Sequence, residues 1–234
     1  MKLKKAVLLI HGFAGGTYDM ESLAWNLEKQ FLFDVYQFTL PGHGIKKNCT
    51  YHEWVKSVED KINKLVEYGY NSIYVIGHSM GGVLAAYVAS KYPVVKKVVL
   101  AAPAFKYIGE WENFSLKKTS AIINDYGLSE VTFRMFEKVP IGAINEFVNL
   151  VKKYQECPKK IKVPILILQG MKDDVVPVSS SEYVFDVVDS RKKSLIYLKN
   201  SNHDMFNGSQ INVINSRIEK FLMFNKINGE KEYL

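Results

Sequence analysis

The chain has 234 residues, 47% of them hydrophobic and 13% aromatic. That composition excludes a disordered protein and fits one domain with a sizeable core and a modest insertion. The formal net charge is +7, but the basic residues are scattered lysines with only Arg134, Arg191 and Arg217 among them, which argues against a nucleic-acid surface and reads as a solvated exterior.

No internal repeat or low-complexity tract is present. The two cysteines, Cys49 and Cys157, lie far apart without metal-ligand spacing. They read as unpaired thiols of a reducing compartment, and the protein is expected to be cytoplasmic, with no metal. The start, Met1 to Lys5 followed by Ala6–Ile10, imitates a signal peptide, yet the apolar run is short and leads into His11-Gly12 without a small-residue cleavage site. No stretch approaches the ~20 apolar residues of a membrane-spanning helix, so stable membrane insertion is not expected.

In chain order, the sequence predicts strands over Ala6–Ile10, Val35–Thr39, Ile73–Ile76, Lys97–Ala101, Ile165–Gln169 and Ser194–Leu198. Most are nearly continuous apolar runs, as parallel strands covered on both faces require. Between them lie helical stretches over Met20–Lys29, His52–Tyr68, Gly82–Lys91, Ser179–Val188 and Ile211–Phe224. In the second, Trp54, Val58, Ile62 and Leu65 recur on one face. Such alternation predicts an α/β fold, a mostly parallel sheet of about six to seven strands flanked by helices. Ligands of such sheets bind at the carboxyl ends of the strands.

One segment breaks the alternation. From Ala104 to about Lys160 no strand pattern occurs, and helices are expected over Leu116–Asp125, Glu130–Lys138 and Ile141–Tyr154. This stretch carries Phe105, Tyr107, Trp111, Phe114, Tyr126, Phe133, Phe136 and Phe147, more aromatic surface than connecting helices need. We read residues 104–160 as a small helical lid inserted into a core of 1–103 and 161–234, with Phe133 and Phe136 facing substrate. The alternative is an ordinary helical layer.

Chemistry concentrates in Gly77-His78-Ser79-Met80-Gly81, placed between a predicted strand and a predicted helix. A nucleophile elbow needs a serine on a strained strand-to-helix turn, with residues lacking side chains two before and two after it. Serine is a weak nucleophile without a base. Of the five histidines, His203 sits in a polar loop after the last predicted strand, at the sheet edge where Ser79 must lie. His78 is expected to pack locally, His52 to lie on the surface, and His11 and His43 to stabilise loops. The base needs an orienting carboxylate; Asp173 and Asp174 compete, and the Gly-x-x-Asp-x-x-Val-Pro pattern of Gly170 to Pro177 favours Asp173. The order Ser79, Asp173, His203 is the nucleophile-acid-base order of α/β-hydrolases. An oxyanion hole needs backbone N–H donors: Met80 supplies one at a helix start, and Phe13, in the loop after the first strand, supplies the other and lines the acyl pocket. The glycines of Gly12 to Gly16 lack both the dinucleotide fingerprint and the Gly-Lys-Ser/Thr ending of a P-loop, so no cofactor is expected.

With these residues assembled, the sequence resembles the α/β-hydrolase superfamily over nearly its whole length, most closely the small bacterial carboxylesterases and monoacylglycerol lipases. "LLIHGFAGG", "LPGHG" followed by "TYHEWVKSVED", "GHSMGG", "GMKDDVVP" and "SNHDMF" follow that group's pattern in order. The resemblance implies the α/β-hydrolase fold, a helical lid after the strand that follows the elbow helix, and an oxyanion donor at Phe13. It implies a carboxylic-ester hydrolase acting on a small-molecule ester. Short to medium acyl chains are expected because an insertion of the size of 104–160 covers only a limited pocket. Cinnamoyl or feruloyl ester, thioester or C–C bond hydrolysis on the same residues, and a non-catalytic ligand-binding member, are the alternatives. A homodimer is left open.

Overall fold

The computed structural model describes residues 5–29, 33–45, 47–106, 140–224 and 230–234. Among them, seven strands form one wholly parallel sheet: β1 (Lys5–Ile10), β2 (Asp34–Gln37), β3 (Ser72–His78), β4 (Val95–Ala101), β5 (Ile165–Gly170), β6 (Lys193–Leu198) and β7 (Lys231–Tyr233), in the order β2-β1-β3-β4-β5-β6-β7. The helices are α1 (Glu21–Glu28), α2 (Tyr51–Glu67), α3 (Met80–Lys91), α4 (Ile141–Tyr154), α5 (Val178–Val187) and α6 (Ile211–Met223). All six predicted strands are present. Strand β7 was not predicted, because three residues, Lys-Glu-Tyr, are too few to carry a pattern.

The apolar runs are explained by two cores, one on each face. Ala6, Leu8 and Ile10 of β1 and Ile165 and Ile167 of β5 point to one face, which α2, α3, α4 and α5 cover. Val7, Leu9, Leu166 and Leu168 point to the other, which α1 and α6 cover. Alternate residues of a strand face opposite ways, so a sheet covered twice needs apolar side chains at nearly every position.

Two boundaries moved for physical reasons. Helix α2 starts at Tyr51 rather than His52 because Thr50 and Glu53 form a capping box, the Thr50 N–H donating to Glu53 Oε2 at 2.7 Å. Helix α3 starts at Met80 rather than Gly82, immediately after Ser79. Lys97, inside a strand, is buried; its Nζ donates to the carbonyls of Phe221 and Leu222 at 2.8 Å each and so caps the carboxyl end of α6. Burial pushes its pKa down to about 8.

The predicted helices over Leu116–Asp125 and Glu130–Lys138 lie outside the described residues, as do Phe133 and Phe136. Helix α4 is present as predicted and packs on α2 and α3. Its Ile144, Val148 and Val151 are buried, and Glu146 accepts the Tyr51 N–H at 2.9 Å, so α4 also caps the start of α2. Both cysteines are buried free thiols. Among the described residues no helix is long and apolar enough to cross a membrane.

The strand order positions the site. From β1 the chain passes to β2 on one side and then to β3 on the other, so the carboxyl ends of β1 and β3 flank the point where the order reverses. Crevices for ligands open there in sheets of this kind. Ile10 pairs with Gly77 in register, which brings the loop of His11 to Phe13 beside Ser79. Trp54 of α2 closes this corner: its ring is buried, and its Nε1–H donates to the Pro41 carbonyl at 2.9 Å. Trp54→Ala is expected to lower the unfolding free energy by about 3–5 kcal/mol, measured by urea denaturation. A loss below about 1 kcal/mol would show that the ring contributes little to this packing.

Candidate active site

Ser79 sits between β3 and α3 with φ 54° and ψ −119°, in a region that side chains other than glycine rarely adopt. The two flanking glycines make the turn feasible. A Cβ at Gly77 would lie 2.1 Å from the Gly81 carbonyl oxygen, and one at Gly81 would lie 2.2 Å from the Ile10 carbonyl oxygen. Neither neighbour is a flexible side chain, so a methyl group at either position forces the backbone apart. The Ser79 N–H donates to the Ala101 carbonyl at 2.9 Å, and its own carbonyl accepts the Gly82 and Ala104 N–H groups at 2.9 and 3.2 Å. The turn is thus held by β4 and by the start of α3.

The structure brings Ser79, His203 and Asp173 into one line. His203 Nε2 lies 3.1 Å from Ser79 Oγ, and His203 Nδ1 lies 2.9 and 3.0 Å from the two Asp173 oxygens. Both side chains of the His203–Asp173 pair are buried. Asp174, the competing carboxylate, is exposed. Burial by itself would raise the Asp173 pKa. The hydrogen bond from His203, the charge that imidazole can carry, and the N–H groups of Val176 and Val175 at 2.8 and 2.9 Å outweigh it, so the carboxyl lies below its ordinary range.

The two expected oxyanion donors lie on the segments that flank Ser79. Met80 is the first residue of α3, where backbone N–H groups have no partner within the helix. Gly12, next to Phe13, is so near that a Cβ there would lie 3.1 Å from Ser79 Cβ. The Phe13 ring is half-buried and stacks on Phe147 of α4, centroids 5.5 Å apart, with Trp54 and His43 edge-on at 6.2 and 6.0 Å. Phe147 was counted only among the aromatics of the insertion; helical spacing shows which residues share a face but not which face meets the oxyanion loop.

Two other histidines hold loops around this line. His11 Nε2 accepts the Leu40 N–H at 2.9 Å, which leaves Nδ1–H to donate to the Gly12 carbonyl at 2.8 Å. His78 does more than the local packing expected of it: its Nε2–H donates to the backbone carbonyl of His203 at 2.9 Å, tying the loop of one to the strand of the other. Burial, chiefly, holds His11 down to about 4 and His78 down to about 3. Sequence reasoning also missed Gln169, the penultimate residue of β5, which reaches Asp173 Oδ2 at 3.3 Å. Among the described residues no group of three or more His, Cys, Asp or Glu is placed to hold a metal ion.

A seven-stranded parallel sheet, a serine at positive φ after its third strand, and a hydrogen-bonded His203 and Asp173 together describe a serine hydrolase of the α/β-hydrolase fold. The model of the family described as serine aminopeptidase, S33, matches residues 1–138 and 132–210. The chain belongs to this family. It is 30% identical over 208 residues to the thermostable monoacylglycerol lipase of Bacillus sp. (strain H-257), covering 84% of this chain and 82% of that one. It is 25% identical over 235 residues to the carboxylesterase of Bacillus subtilis (strain 168), covering 93% and 92%. The solved structure of Paleococcus ferrophilus monoacylglycerol lipase superposes with a TM-score of 0.74 at 20% identity, covering 94% of each chain, which shows the shared fold.

The neutral histidines make stability depend on acid. Their folded pKa values lie below the ordinary 6.5. As pH falls below 6.5 the unfolded chain takes up protons that the folded chain refuses. Their contribution is therefore complete above pH 6.5 and is lost as pH falls toward about 4 for His11 and about 3 for His78. Each histidine adds at most about 1.4 kcal/mol per pH unit in that window. Urea denaturation is expected to show a fall of about 2 kcal/mol or more between pH 7 and 5, and a shallower one in His78→Gln. A flat wild-type profile would mean that these imidazoles are not held neutral.

Proposed function

We propose that this hydrolase cleaves carboxylic esters through an acyl-serine intermediate. The observation that carries the reading is the unbroken hydrogen-bonded line from Ser79 Oγ through His203 to Asp173. Ser79 Oγ attacks the ester carbonyl as His203 Nε2 takes its proton. The N–H groups of Phe13 and Met80 hold the oxyanion, each donor lowering the barrier by about 3 kcal/mol. His203 then passes its proton to the departing alcohol, leaving Ser79 acylated. Water, deprotonated by His203, attacks the acyl carbonyl; the acid leaves and Ser79 regains its proton. Throughout, Asp173 fixes the imidazole tautomer and stabilises its charged form.

The names of the two bacillar relatives, a monoacylglycerol lipase and a carboxylesterase, support an ester as substrate. In this reading residues 104–160 form a lid over the carboxyl edge of the sheet, and Phe13 with Phe147 walls the acyl pocket. A pocket closed by so small an insertion favours short to medium acyl chains: each buried methylene gains about 0.8 kcal/mol until the pocket is full. The two buried free cysteines support a reducing, cytoplasmic setting.

A fluorophosphonate probe is expected to label Ser79 alone, read by mass spectrometry of the adduct, and Ser79→Ala is expected to abolish ester hydrolysis in a folded protein. Asp173→Asn should lower kcat by about 10³-fold or more, and Asp174→Asn by far less. Labelling elsewhere, or reversed effects of the two aspartates, would overturn the assignment. Across p-nitrophenyl esters from acetate to palmitate, activity should peak at short to medium chains, and Phe147→Ala should shift that peak while sparing acetate. A peak at palmitate, or an unmoved one in Phe147→Ala, would reject the pocket. Faster turnover of an acyl-CoA panel would replace the ester reading with a thioester one.

A further inference from the structure

Gln169 is out of place on apolar grounds. It follows Ile165 and Ile167 on the same face of β5, the face that packs against Val184 and Leu195, and it is completely buried. A buried amide costs stability unless it is hydrogen-bonded. Its surroundings decide which way it points. One end faces only acceptors: the carbonyls of Gly170 and Val176 at 3.0 and 3.2 Å and Asp173 Oδ2 at 3.3 Å. That end must be the donating Nε2. The other end lies 2.6 Å from Ser181 Oγ of α5. Since Oε1 can only accept, the Ser181 hydroxyl donates. Ser181 is itself completely buried.

The Asp173 carboxylate therefore has two anchors. The N–H groups of Val175 and Val176 pin Oδ1. Pinned there alone, the carboxylate can still swing about that oxygen and carry Oδ2 away from His203. Gln169 pins Oδ2, the oxygen closer to His203 Nδ1. We infer that Gln169, itself oriented by Ser181, is a positioning residue that holds the Asp173 carboxylate in the plane His203 needs. The hydrogen-bonded line then runs through five side chains, from Ser181 and Gln169 to Asp173, His203 and Ser79. The inference rests on the proposed roles of Asp173 and His203. A residue of purely structural importance would affect folding or substrate binding, whereas this one acts on turnover through Asp173.

The test is a double-mutant cycle on the full chain with a p-nitrophenyl ester. Gln169→Leu is expected to lower kcat about 10- to 100-fold and to change KM less than about twofold. In an Asp173→Asn background the same substitution should change kcat less than about twofold, because the carboxylate it positions is gone. Ser181→Ala, which deletes one hydroxyl and disturbs the fold least, should lower kcat about threefold and likewise lose its effect in Asp173→Asn. If Gln169→Leu does not fold, as read by circular dichroism, the Ser181→Ala cycle decides. Equal losses with and without Asp173, or no loss in a folded Gln169→Leu, overturn the inference. Undiminished kcat in Asp173→Asn itself would instead overturn the reading on which it rests.

Discussion

At Gly81 the backbone of α3 lies directly against the end of β1, so near that a single Cβ would stand 2.2 Å from the Ile10 oxygen and 2.5 Å from the His11 oxygen. This approach fixes three things together. It forces the chain to turn within one residue, which puts Ser79 at positive φ with its side chain above the sheet. It brings the start of α3, where the first N–H groups have no partner within the helix, to the mouth of the crevice. It also sets the loop of Gly12 and Phe13 next to the serine, because β1 and β3 pair directly, Ile10 against Gly77. A wider separation of α3 from β1 would pull Ser79 away from the loop of Gly12 and Phe13.

Around that turn the protein buries polar groups with little net charge. His11, His43, His78 and His203 are all buried, as is the Asp173 side chain. Burial keeps His11, His43 and His78 neutral. Asp173 is the buried group held in its charged form, and it is surrounded by donors: two backbone N–H groups, the Gln169 amide and the His203 imidazole. A lone carboxylate in a dry interior is costly, and one with four donors is not. This arrangement suits the proposed reaction, in which a transient positive charge arises on one imidazole, since competing cations nearby would oppose it.

The aromatic corner joins the site to α4. Phe13 carries an expected oxyanion donor on its backbone and stacks its ring on Phe147 of α4. Trp54 of α2 and His43 meet the same ring edge-on. Helix α4 is anchored on the core side by buried Ile144, Val148 and Val151, and at its flank by Glu146 on the Tyr51 N–H. Helix α4 thus meets the loop beside the serine through stacked aromatic rings.

By itself the sequence determined whatever depends on local pattern. Continuous apolar runs at β1, β3 and β5 required a sheet covered on both faces, and Gly77 to Gly81 required a sharp turn, since no other residue types permit that backbone approach. The order of Ser79, Asp173 and His203 was legible for the same reason. Only the tertiary structure decided what depends on which distant atoms meet. It gave His78 the carbonyl of His203 across 125 positions and turned Gln169 from a strand residue into a partner of Asp173. Hydrogen bonds between residues far apart leave no periodicity in the chain. A buried amide in an apolar row is the one local sign that such a bond must exist, because water cannot reach it.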